Sequence, residues 1–150
     1  MTTGLWTAVA AVVVAVAFGL YRQYADGRFR ARTANPTQVE APKPGEPTDG
    51  LWASVTSALP DAERGERATL LQFSSAFCAP CRATRRTLAD IAEVVPGVVH
   101  VEVDAEYHLE LVRELGILRT PTTLILDGTG TEVTRAAGAP RKEQVLAALP

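Results

Sequence analysis

The sequence predicts an α/β domain built on a mixed four-stranded sheet, with helices on both faces and one N-terminal transmembrane helix ahead of it. Three observations carry this. Residues 5–21 hold no charged side chain, residues 33–50 are proline-rich and aperiodic, and from residue 51 onward helical and strand periodicities alternate. The chain has 150 residues, which allows one ordinary domain plus an anchor or tail but not two large domains. With 47% hydrophobic and 21% charged residues it lies in the globular range, so wholesale disorder is excluded. A net charge of −2 argues against an electrostatic nucleic-acid binder, which would need a strongly basic face.

The first element is the run LWTAVAAVVVAVAFGLY, whose only polar side chain besides its aromatic tips is Thr7. As a helix, seventeen residues cover about 25 Å, a little short of a ~30 Å hydrocarbon core. Gly4 and the flanking Trp6, Tyr21 and Tyr24 extend it, and aromatic residues favour the interface. A cleavable signal peptide is the competing reading, with Ala15-Val16-Ala17 as its cleavage site, but Met1-Thr2-Thr3-Gly4 lacks the basic start such peptides carry. The expectation is therefore a single-pass anchor over 4–21 in the cell membrane. Arg22, Arg28, Arg30 and Arg32 follow it, opposed only by Asp26, and nothing basic precedes it. Cationic flanks stay inside, so the N-terminus is expected outside and the remaining chain in the cytoplasm. Residues 22–50 read as a basic stalk and linker, stiffened by Pro36, Pro42, Pro44 and Pro47.

The domain is expected over 51–150. Leu51, Trp52, Val55 and Leu59 recur at helical spacing until Pro60 ends the helix. ATLLQFS (68–74) is a short apolar run suited to a buried strand. In the following segment Leu88, Ile91, Ala92 and Val95 make one helical stripe, with Arg82, Arg85 and Arg86 on the solvated side, and Pro96-Gly97 stops it. Val99, Val101 and Val103 alternate with His100 and Glu102 in a second strand. Residues 107–115 read as a helix capped by Gly116, 122–126 as a third strand, 131–137 as a fourth after an Asp127-Gly128-Thr129-Gly130 turn, and about 141–149 as a last helix. Strands joined through helices are expected to pair in parallel, and the closing pair as an antiparallel hairpin.

Both cysteines fall in one window, Cys78-Ala79-Pro80-Cys81, where a strand hands over to a helix. A helix N-terminus presents unpaired N–H groups and the positive end of its dipole, which stabilise a thiolate at Cys78. Thiolate is the attacking species in disulfide exchange, and Cys81 lies one turn on, within reach of a mixed disulfide. Pro80 suits the first turn, where its missing N–H is not needed. A purely structural bridge would close too small a loop to stabilise much. Zinc would need two more ligands; only His100 and His108 exist, at spacings that match no usual site, so both read as ordinary surface or half-buried histidines. Gly128-Thr129-Gly130 is a hairpin turn and not a phosphate cradle, so no nucleotide cofactor is expected.

The stretch LLQFSSAFCAPCR (70–82) resembles the active-site segment of the thioredoxin family, and Arg119-Thr120-Pro121-Thr122 is similar to the loop that carries its cis-proline. Asp104 and Gly138 also fall where the family would place them. The resemblance covers roughly 51–150 and implies a thioredoxin-like fold and a thiol–disulfide oxidoreductase, most simply a reductase. It implies Cys78 as the attacking thiolate, Cys81 as the buried resolving thiol, and Pro121 in cis with the Thr120 backbone offered to a substrate. No cofactor is implied beyond the redox-active Cys78–Cys81 disulfide. The implied partners are a protein disulfide substrate and a protein electron donor. Phe77 stands for the family's usual Trp, Ala79 for its usual Gly, and Gln72 for the buried acid of many members. A neutral amide cannot take a proton from Cys81 as a general base, which points to a specialised reductase or a shifted redox poise. Two other readings stand beside this one. One is an exported, membrane-anchored reductase of the cytochrome-maturation type, and the other a non-enzymatic module that binds partners and senses oxidation.

Overall fold

The structure is a computed structural model and describes residues 2–25, 29–31 and 49–150. Its elements in chain order are α1 (Thr2–Ala25), β1 (Phe29–Ala31), α2 (Asp49–Ala58), β2 (Ala68–Ser74), α3 (Ala79–Val94), β3 (Val98–Asp104), α4 (Leu109–Glu114), β4 (Thr122–Asp127), β5 (Glu132–Ala137) and α5 (Lys142–Ala148). The proline-rich linker lies outside the described residues, apart from its last two positions.

The strands form one sheet in the order β1-β5-β4-β2-β3. β2 and β3 run parallel across the α3 crossover, as expected, and β4 and β5 form the closing antiparallel pair. Two features depart from expectation. β4 does not continue the parallel series beyond β3; it pairs antiparallel with the other side of β2, Phe73 opposite Thr122 and Ala68 opposite Asp127. The reason is burial on both faces. Thr122 to Leu126 are all buried and suit an interior strand, whereas β3 carries half-buried His100 and Glu102 and takes the edge. The sheet also has five strands and not four. β1, from the segment expected to be stalk, pairs antiparallel with β5, Phe29 opposite Ala136. It covers a sheet edge that would otherwise expose unpaired backbone groups, and Phe29 packs against the core beneath α3 and α5.

Two apolar layers hold the sheet. One joins Leu71, Phe73, Val101, Val103, Leu124 and Leu126 to Val55 of α2 and Leu111 of α4. The other joins Leu70, Val98 and Ile125 to Leu88 and Ile91 of α3 and Val145 of α5. α4 is shorter than the expected 107–115, because His108 is its N-cap and Tyr107 precedes it in a turn.

α1 is helical from end to end, and its described side chains, Trp6 to Tyr21, are all exposed. Among the described residues no helix is long and apolar enough to cross a membrane. The expectation of a membrane-spanning helix at 4–21 is therefore not carried by the fold.

Candidate active site

β2 ends at Ser74, and the chain crosses a short loop to Cys78, the N-cap of α3, with φ −104° and ψ 98°. This extended conformation turns the Cys78 sulfur back over the first helical turn, where it accepts the Cys81 N–H at 3.1 Å. Pro80 occupies that turn at no cost in hydrogen bonds. Cys78 and Cys81 are joined by a disulfide, with Cα atoms 5.2 Å apart. The two sulfurs are not equivalent: Cys78 is half-buried, whereas Cys81 is 1% exposed. Phe77 at 99% exposure, with exposed Ala79 and Pro80, forms an open rim and not a walled pocket.

The 119–121 loop comes to the same end of the sheet because Thr122 is paired with Phe73. The Thr120–Pro121 peptide bond is cis. Pro121 is buried, and its carbonyl accepts the Gly138 N–H at 2.7 Å. Gly138 sits at φ 102°, a region that favours glycine. The Thr120 hydroxyl lies 3.2 Å from that of Ser75, linking the proline loop to the loop that leads into Cys78.

Beneath the disulfide lies a polar layer. Gln72 is fully buried; its Nε2 donates to the Cys81 carbonyl at 3.0 Å, and its Oε1 lies 3.1 Å from His100 Nε2. Burial holds the His100 pKa below its ordinary 6.5, with Glu102 opposing and Arg85 reinforcing that shift. Glu102 is itself held by Arg85 at 2.6 Å and by the Ser74 hydroxyl at 2.6 Å. Thr84 Oγ1 and Thr123 Oγ1 are buried with no hydrogen-bond partner among the described residues.

The fold thus brings Gln72, Phe77, Cys78, Ala79, Pro80, Cys81, Thr120 and Pro121 to one end of the domain. Sequence reasoning did not give His100 a place there. The available signal was phase: His100 lies on the α3-facing side of β3, in register with Leu70 and one pleat from the level of Gln72. Ser75 and the 96%-exposed Leu118 of the proline loop also went unread. Among the described residues no group of three or more His, Cys, Asp or Glu side chains could hold a metal ion.

A C-x-x-C disulfide at the N-terminus of the first crossover helix, opposite a cis-proline loop on a mixed sheet, defines a redox protein of the thioredoxin type. A family model described as a thioredoxin-like domain matches residues 56–150, and the chain belongs to that family. It is 31% identical to Thioredoxin H-type 1 of Nicotiana tabacum over 78 residues, 52% of this chain and 61% of that protein, so the chain spans less than two thirds of that relative. It is also 31% identical to a thioredoxin of Alicyclobacillus acidocaldarius over 101 residues, 63% of this chain and 95% of that one. Among solved structures it resembles the short form of spinach chloroplast thioredoxin F, at 28% identity and a TM-score of 0.51, over 67% of this chain and 83% of that one. Proteins of this fold work through a redox-active disulfide without a cofactor. The cysteine pair and these relatives support thiol–disulfide oxidoreductase activity in general.

Proposed function

We propose that the protein is a membrane-tethered thiol–disulfide oxidoreductase that works mainly as a reductase of protein disulfides. The observation that carries this is the inequality of the two sulfurs: a reachable Cys78 at a helix N-terminus and a buried Cys81 one turn behind it. In the reduced enzyme the Cys78 thiolate attacks a substrate disulfide, forming Cys78–S–S–R and releasing one substrate thiolate, which takes a proton from solvent. Cys81 then loses its proton to solvent base and attacks the Cys78 sulfur. The bond to the substrate breaks, and the second substrate thiolate is released and protonated. Two electrons have passed from the dithiol to the substrate, and a protein electron donor restores the dithiol. The Thr120 backbone before Pro121 supplies strand-like pairing to an extended substrate, and Phe77, Ala79 and Pro80 form the surface it lies on.

The tether rests on α1. Trp6, Val13, Phe18 and Tyr21 are each at least 60% exposed, and an all-round apolar helix left in water is costly. The arginines at 22, 28, 30 and 32 support a single-pass arrangement with the N-terminus outside and the redox domain in the cytoplasm. Phe29 pairs with Ala136 at the end of the sheet that carries Cys78, so the chain from α1 enters the domain at its redox end. That register favours substrates presented close to the membrane surface.

The test is reduction of a model peptide disulfide by the full chain in liposomes, with dithiothreitol as electron source. Cys78→Ser is expected to fall to the uncatalysed rate, and Cys81→Ser to stall as a mixed disulfide with one substrate molecule. Turnover by Cys78→Ser at the wild-type rate would sink the reading. In intact cells, a membrane-impermeant maleimide that labels reduced Cys78 from outside would favour the exported reductase; protection until lysis supports the cytoplasmic arrangement.

A further inference from the structure

Two hydrogen bonds tie the buried half of the redox pair to a histidine on the edge strand, and together they determine which atoms face which. A carbonyl oxygen only accepts, so the Gln72 group 3.0 Å from the Cys81 carbonyl is the NH₂. This turns Gln72 Oε1, also an acceptor only, toward His100. The ring nitrogen 3.1 Å away, Nε2, therefore carries a hydrogen. Protons are then gained and lost at Nδ1. Titration of His100 leaves the Cys81–Gln72–His100 connection intact and changes only its charge. His100 is itself half-buried, but Gln72 is fully buried and Cys81 is 1% exposed, so the path from the ring to the sulfur runs through a weakly screened interior.

We propose that His100, acting through Gln72, is a positioning residue that makes the resolving step at Cys81 sensitive to pH. The imidazolium strengthens the hydrogen bond to Gln72 and favours the Cys81 thiolate, and the neutral ring withdraws that support. This rests on the exchange chemistry proposed above. The charged groups acting on His100 are Glu102 on its own strand and Arg85 from α3, and Asp61 and Glu63 of the 59–63 loop line the open groove that His100 also borders. Glu102 is already engaged by Arg85 and Ser74, so it neutralises the ring only in part. Because burial holds the His100 pKa below its ordinary 6.5, the imidazolium forms only as the pH falls below that value.

The test is the pH–rate profile of the resolving step in the full chain, read as release of a chromogenic thiol from the Cys78 mixed disulfide. Wild type is compared with His100→Gln, which keeps a donor for Gln72 but does not titrate, and with His100→Leu, which has no donor. The ratio of wild-type to His100→Gln rates is expected to rise by about threefold to tenfold between about pH 8 and about pH 5. His100→Leu is expected to be slower than His100→Gln throughout, because the Cys81 turn loses its oriented clamp. Superimposable wild-type and His100→Gln profiles overturn the proposal, even if His100→Leu fails to fold. A wild-type chain that forms no mixed disulfide at any pH overturns the exchange reading itself, which separates the two failures.

Discussion

The two faces of the sheet are built differently. Beneath α2 and α4 the packing is mainly apolar, with Leu71, Phe73, Val101, Val103, Leu124 and Leu126 meeting Val55 and Leu111, and the polar side chains on that face, Thr69, Thr122 and the Glu132–Arg135 pair, are all hydrogen-bonded. Beneath α3 it is apolar only away from the disulfide, around Leu70, Leu88, Ile91 and Ile125. Toward Cys81 the same layer holds Gln72, Thr84 and Thr123, all at most 1% exposed. Buried polar groups cost stability unless every one is paired. Here the amide is paired and two hydroxyls are without partners among the described residues. The first face supplies stability; the second gives some up to set a polar environment under one sulfur. Such a trade is expected where a local rule is broken at a working site.

Substitutions on each face can break or sharpen this contrast. The largest effect is expected on the apolar face. Phe73→Ala should cost about 3–5 kcal/mol, read from the urea midpoint, because Phe73 is fully buried and its removal leaves a cavity in the packed layer. On the polar face Gln72→Leu should cost about 1–3 kcal/mol, since it strands the Cys81 carbonyl and the His100 N–H. A Gln72→Leu chain as stable as wild type would show that the amide is packing and not a clamp.

A smaller effect is expected from pH. The folded state lowers the His100 pKa, so between the folded value and 6.5 the unfolded chain binds more protons. The contribution is full above 6.5 and is lost as pH falls through the folded value. Acidification should therefore lower the unfolding midpoint of wild type more than that of His100→Gln. Smallest of all, Thr123→Val should stabilise by up to about 1 kcal/mol, because it removes a hydroxyl that has no partner among the described residues, at nearly constant volume.

Much of the site was legible in advance because its signals are local. A C-x-x-C window between an apolar run and an amphipathic helix is read within the single stretch 68–95, and Pro121 stands directly before a short apolar strand. His100 was not legible as part of the site. Its alternation with Val99 and Val101 marks it as facing away from one core layer and says nothing of what covers the other. Only the parallel register of β2 and β3 brings it to Gln72.

The same division holds for the fold. The periodicities of residues 51–150 by themselves determined the kind and order of the elements, because each records which of its own faces is buried. Tertiary structure alone decided that β4 lies on the far side of β2, that three residues of the expected stalk close the sheet as β1, and that a glutamine joins a redox helix to an edge-strand histidine. Those are pairings between segments distant in sequence. They are chosen by which strand must be buried on both faces and which edge must be covered, and no single stretch of chain carries that information.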